Sequence, residues 1–115
     1  MPQVIEKIVK VDEIERVFIN NSESIIFTNK ELKQNESKNK TKSLGARWLI
    51  KQSVLEFLKT ENVYKEIEIL NNSNGKPEIA VNGQVKEKMK ANSLNNIQIS
   101  ISHSKNYIAT LVTIE

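Results

Sequence analysis

The sequence predicts an α+β fold: an antiparallel sheet with one long helix packed across it. Three observations lead there. Leu44 to Leu58, LGARWLIKQSVLEFL, holds the only Trp and the densest apolar content of the chain. At about 100° per residue, Leu44, Trp48, Ile50, Val54, Leu55, Phe57 and Leu58 share one broad arc, the pattern of a core-facing helix. Downstream, two pairs of apolar, β-branched runs are each separated by turn residues, the pattern of hairpins.

Taken in order, Val4 to Val11 is rich in β-branched residues and reads as a first strand. Asp12 is placed to cap a short helix, with Glu13 and Glu15 near its positive end. Ile14, Val17 and Phe18 give that helix an apolar face, Arg16 is exposed, and Asn20, Asn21 and Ser22 end it. Ser24 to Phe27 is short and apolar. Thr28 followed three residues later by Glu31 is a capping box opening another short helix. Lys33 to Ser43, KQNESKNKTKS, has no apolar residue and reads as a solvated helix face or a loop. After the long helix, Tyr64 to Leu70 is a strand, NNSNGK a turn, and Pro77 to Val81 the returning strand, with Pro77 tolerable at its start or edge. A short helix covers about Gln84 to Asn92. Ile97–Ser102 and Tyr107–Ile114 form the last hairpin, joined around His103 and Ser104.

With 115 residues, no internal repeat and no linker, residues 1–115 are expected to form one domain. The absence of Cys excludes a disulfide framework, a thiol nucleophile and Cys-based metal sites, and a lone His excludes a His-rich one. No run approaches a membrane span, and MPQVIEKIVK lacks a signal-peptide apolar region, so the expectation is a cytoplasmic protein off the membrane. The net charge of +3 favours acidic partners weakly. Scattered cations with few aromatics argue against nucleic acid as a partner.

Arg47 and Lys51 fall one turn apart inside the apolar arc of the long helix. An unpaired buried charge costs several kcal/mol. Either their stems pack while the charged heads reach water or a structural carboxylate, or both line a cleft that receives an anion.

IFTNKEL, GARWLIKQSVLEFL, EIEILNNSNGKPEI and ISISHSKNYIATLVTIE follow one another along the chain. In this order they resemble the holo-acyl-carrier-protein synthase family of small 4′-phosphopantetheinyl transferases. The resemblance spans nearly the whole chain and is strongest over 64–115. It implies an α+β trimer that moves 4′-phosphopantetheine from coenzyme A to a serine of an acyl carrier protein, with coenzyme A in a cleft between neighbouring subunits. It places Arg47, Lys51, Lys76, Pro77, His103 and Ser104 in or near that cleft, with Lys51 and His103 as the catalytic pair. It matches Arg16 to a residue that meets the acidic carrier protein. Anhydride cleavage develops charge on phosphate oxygens, so positioned cations are the main chemical requirement.

The family holds Mg2+ with an Asp ending the first strand and the Glu of a Lys-Glu pair in the central helix, and here the sequence departs. That pair reads Lys51-Gln52, and a Lys one turn on has become Glu56. Gln52 and Glu56 stand at i,i+4 and can share a ligand. An ungapped match puts Lys10 at the Asp position and keeps Arg16 in register; a shifted match restores Asp12. The metal set, if rebuilt, is therefore Asp12, Gln52 and Glu56. Three readings stand side by side: a divergent transferase, a non-catalytic relative that binds carrier protein or coenzyme A or completes a hetero-oligomer, and a small basic interaction module.

Overall fold

A computed structural model describes residues 2–36 and 39–115. Of the polar stretch 33–43, Ser37 and Lys38 lie outside the described residues; the remainder ends one helix and begins the next. The first strand, β1 (Gln3–Lys10), runs directly into α1 (Val11–Asn20), followed by α2 (Glu23–Ile26), α3 (Asn29–Gln34) and the long α4 (Lys40–Leu58). A 3-10 turn at Tyr64–Glu66 leads into β2 (Ile67–Asn71) and β3 (Pro77–Val81); α5 (Gly83–Ala91), β4 (Ile97–His103) and β5 (Tyr107–Ile114) complete the chain.

The antiparallel architecture is as expected, with one difference. The strands form two sheets: a three-stranded one in the order β1-β5-β4, and the β2–β3 hairpin beside it. Tyr64 to Glu66 is not strand, because Glu66 is engaged with α5: its backbone carbonyl accepts from Asn82 N at 2.9 Å and its carboxylate from Val85 N at 3.1 Å. Gly83, at φ +59°, opens α5 in a backbone region few side chains accept, and a Cβ there would meet the Glu66 carboxylate at 2.5 Å. Asp12 does not cap α1. The helix begins two residues earlier, at Val11, Lys10 stands at the N-cap without a side-chain bond, and Asp12 sits in the first turn.

The capping box at α3 is present as read. Glu31 N donates to Thr28 Oγ1 at 3.2 Å, and Thr28 N donates to Glu31 Oε1 at 3.0 Å.

The central helix starts one turn before Leu44 and is enclosed on most sides rather than along one stripe. Ile50, Val54 and Leu58 pack with Ile67, Ile69, Val85, Val112 and Ile114. Ala46 and Leu49 pack with Ile14 and Ile108, and Leu44 packs with Ile26 and Phe27. Ser53 is buried among them and donates to Leu49 O at 2.8 Å. Gly45 marks the tightest approach: a Cβ there would meet Ile14 Cγ2 at 2.7 Å and Ile108 Cδ1 at 3.0 Å. Gly45→Ala is therefore expected to destabilise the protein by about 1–3 kcal/mol, the usual cost of overpacking, read as a lower urea midpoint at unchanged slope.

Candidate active site

β2 pairs with β3 on one side only. Along its other edge the backbone is bonded by side chains instead. Ile69 N donates to Glu31 Oε2 at 3.0 Å, and Asn71 N donates to Gln34 Oε1 at 2.6 Å. Asn71 O accepts from Gln34 Nε2 at 3.1 Å, and Ile69 O accepts from Arg47 Nε at 3.2 Å. Two residues three apart on α3 thus match two residues two apart on the strand. Pro77 faces Asn71 across the hairpin, where the Asn71 N–H and carbonyl are both turned to Gln34, so its missing N–H costs the ladder nothing.

This edge carries the two helix cations. Arg47 Nη1 donates to Ser43 O and Nη2 to Asn71 Oδ1, each at 3.0 Å. With Nε on Ile69 O, three of its five N–H groups are committed to the fold and two remain among the described residues. Lys51 is wholly buried: Nζ donates to Glu31 Oε1 at 2.6 Å and Ile26 O at 2.8 Å, with the Phe27 ring centroid at 5.1 Å. Burial lowers the pKa of both Lys51 and Arg47, and Glu31 opposes the shift in each. Of the two sequence readings, Lys51 follows the structural one: its stem packs and its charge reaches a carboxylate. It lines none of the clefts among the described residues, whereas the resemblance expects it to clamp phosphate. A phosphate oxygen would have to displace Glu31 to reach it.

Arg47 does face a cavity. A cleft of about 400 Å3 lies between α4, the β2–β3 turn and the end of β4, lined by Ser43, Arg47, Asn71, Lys76, Pro77 and His103 among others. His103 arrives there by strand alternation: Ile97, Ile99 and Ile101 point inward, and His103 is the next residue of the same face, past the end of the core. The Asn-Gly turn presents exposed Lys76. Four of the residues expected in one place, Arg47, Lys76, Pro77 and His103, are thus brought together. No carboxylate lines the cleft among the described residues, so it is a cationic concavity suited to an anion. Ser104 lies outside the lining; it is exposed in the β4–β5 turn, where its N–H donates to Tyr107 O at 2.9 Å.

Of the residues expected to hold a metal, Gln52 and Glu56 are brought together and Asp12 stands apart. Asp12 lines a small recess with Lys10, Asn106 and Tyr107. Gln52 and Glu56 turn instead to Lys7, whose Nζ donates to Gln52 Oε1 at 3.3 Å and to both Glu56 carboxylate oxygens at 3.2 Å. A site for a hard divalent cation requires several anionic oxygens. Here the one carboxylate is already held by an ammonium, and the described residues contain no cluster of three or more His, Cys, Asp or Glu placed to hold a metal. The donor set does not fit the ion. Sequence reasoning missed Lys7, although a lysine between Ile5 and Val9 on the inward face of β1 was the available signal.

No protein-family model matches the chain. Curated relatives do. The chain is 34% identical over 113 residues to the holo-(acyl-carrier-protein) synthase of Thermodesulfovibrio yellowstonii, covering 93% of this chain and 92% of that protein. It is 34% identical over 89 residues to the enzyme of the same name from Dehalococcoides mccartyi, covering 76% and 73%. Among solved structures, the Neisseria meningitidis synthase superposes with a TM-score of 0.81 at 18% identity, over 97% of this chain and 96% of that one. The Helicobacter pylori synthase in complex with coenzyme A superposes with a TM-score of 0.78 at 18% identity, over 98% and 100%. At these identities the superpositions establish the fold; the curated relatives carry the family.

Proposed function

The chain belongs to the holo-(acyl-carrier-protein) synthase family, and from that premise we propose that it transfers 4′-phosphopantetheine from coenzyme A to a serine of an acyl carrier protein. The observation that carries the reading at this chain's own residues is the cationic cleft shared by Arg47, Lys76 and His103. In the reaction, the serine oxygen forms a bond to the β-phosphorus of coenzyme A. The anhydride bond breaks, adenosine 3′,5′-bisphosphate leaves, and the serine proton is released. Charge builds on oxygens that the two free Arg47 N–H groups and the Lys76 ammonium are suited to meet. The His103 imidazole, which both donates and accepts, completes the set. Lys51 acts through the fold, as the counter-charge of the carboxylate that braces β2.

Arg16 is exposed on α1, with Ile19 81% and Ile25 64% exposed on α1 and α2. Arg16 and Ile19, three apart on α1, set a cation beside an apolar side chain, which suits an acidic carrier protein, and this surface is the proposed dock.

The same reading includes a homotrimer and a cytoplasmic location. No helix among the described residues is long and apolar enough to cross a membrane. The face of the three-stranded sheet turned away from α4 leaves Val4, Ile8, Tyr107 and Leu111 between 37% and 61% exposed. Self-association through this face removes that apolar surface from water. Light scattering on the purified protein is expected to give the mass of three chains, and Leu111→Arg on the central strand is expected to give one. An unchanged trimer in the variant would move the interface elsewhere.

The transfer is tested by incubating the protein with coenzyme A and apo carrier protein and reading intact mass. A phosphopantetheine adduct on the carrier supports the reading. No adduct with several carriers, beside a synthase that works, points to the non-catalytic binder.

A further inference from the structure

Lys7 sits on the inward face of β1, between half-buried Ile5 and Val9; its side chain is 21% exposed, that of Glu56 60%. Three oxygens from two residues one helical turn apart on α4 converge on it: Gln52 Oε1 at 3.3 Å and Glu56 Oε1 and Oε2 at 3.2 Å. The arrangement has the form of a cation site, oxygens gathered around one positive charge, but the charge belongs to the chain. We infer that Lys7 is the resident cation of this locus and that the protein takes up no divalent ion at Gln52 and Glu56.

The argument is one of charge and ligand count. A metal reaching the same oxygens would stand against an ammonium at contact range, and it would find one carboxylate and one neutral amide. An ammonium needs far less. Its three N–H groups match three acceptors, and a single positive charge neutralises the single Glu56 charge. Lys7 and Glu56 thus explain each other: the carboxylate on α4 keeps a lysine on the inner face of a strand from being an unpaired charge. The inference rests on the transferase reading only in that the family leads one to expect a metal at this place.

Manganese, a spectroscopic stand-in for magnesium, tests it without turnover. With the full chain in millimolar Mn2+, the Gln52 side-chain amide resonances are expected to stay sharp in a 15N-edited NMR spectrum. The double variant Lys7→Met, Gln52→Glu removes the ammonium and adds a second carboxylate. It is expected to gain one bound Mn2+ per chain by electron paramagnetic resonance, displaced by Mg2+. Broadening of the Gln52 amide in the unaltered protein, abolished by Glu56→Ala, overturns the inference. So does a double variant that melts like the parent and binds nothing. If the double variant does not fold, the NMR measurement on the unaltered protein decides alone. The carrier mass assay reads a different quantity, so failure of transfer and failure of this inference are distinguishable.

Discussion

Glu31→Ala is expected to lower the free energy of unfolding by about 3–5 kcal/mol, the usual cost of removing one partner from a buried ion pair. The loss has identifiable parts. Lys51, with none of its surface exposed, keeps only Ile26 O as an acceptor for a buried charge. Thr28 N loses its capping-box acceptor, and Ile69 N loses the acceptor on the edge of β2. Urea unfolding followed by Trp48 fluorescence measures it. The double replacement Glu31→Leu, Lys51→Met is expected to cost clearly less than Glu31→Ala, because no isolated charge is left behind. A single-variant loss under about 1 kcal/mol, the range of an exposed pair, would mean that the Lys51 ammonium reaches water after all.

The second large effect falls on ligand binding rather than stability. Lys76 is exposed on the turn that walls the cleft, so Lys76→Ala leaves the melting temperature unchanged. A charge-assisted hydrogen bond is worth about 1.5–3 kcal/mol, so the variant is expected to weaken coenzyme A binding by roughly ten- to a hundredfold in calorimetry. Arg47→Lys behaves differently. It keeps a positive charge but cannot serve Ile69 O, Ser43 O and Asn71 Oδ1 with one planar fork. Both affinity and stability are expected to fall. Full coenzyme A affinity in Lys76→Ala would remove the turn from the binding surface.

Much of this architecture was legible in the sequence, and what was not shares a physical cause. The capping box at Thr28 and Glu31, the Asn-Gly turn and the last hairpin are local, set by residues within a few positions of each other. His103, read as part of the joining turn, instead ends β4, because the hairpin pairs one residue further, His103 with Ile108. The enclosure of α4 was not visible, because a helix surrounded by three groups of core residues shows no single apolar stripe. The partner of Lys51 was equally hidden. Glu31 was read correctly as a capping residue, yet nothing local says that its second oxygen braces β2 and its first meets a lysine twenty residues on. Lys7 stood in plain view inside an apolar strand, but only the register of β1 against α4 gives it Gln52 and Glu56. Pairings across elements are what a single sequence withholds.

The side-chain cover along β2 has a further consequence. An uncovered strand edge is a template on which another chain can add a strand and begin an aggregate. At Ile69 and Asn71 the donors and acceptors of that edge are already taken by Glu31, Gln34 and Arg47, so an incoming strand finds no free partner there. Helix α3, only six residues long, thereby works as a selvedge: it finishes a border that would otherwise fray into intermolecular pairing.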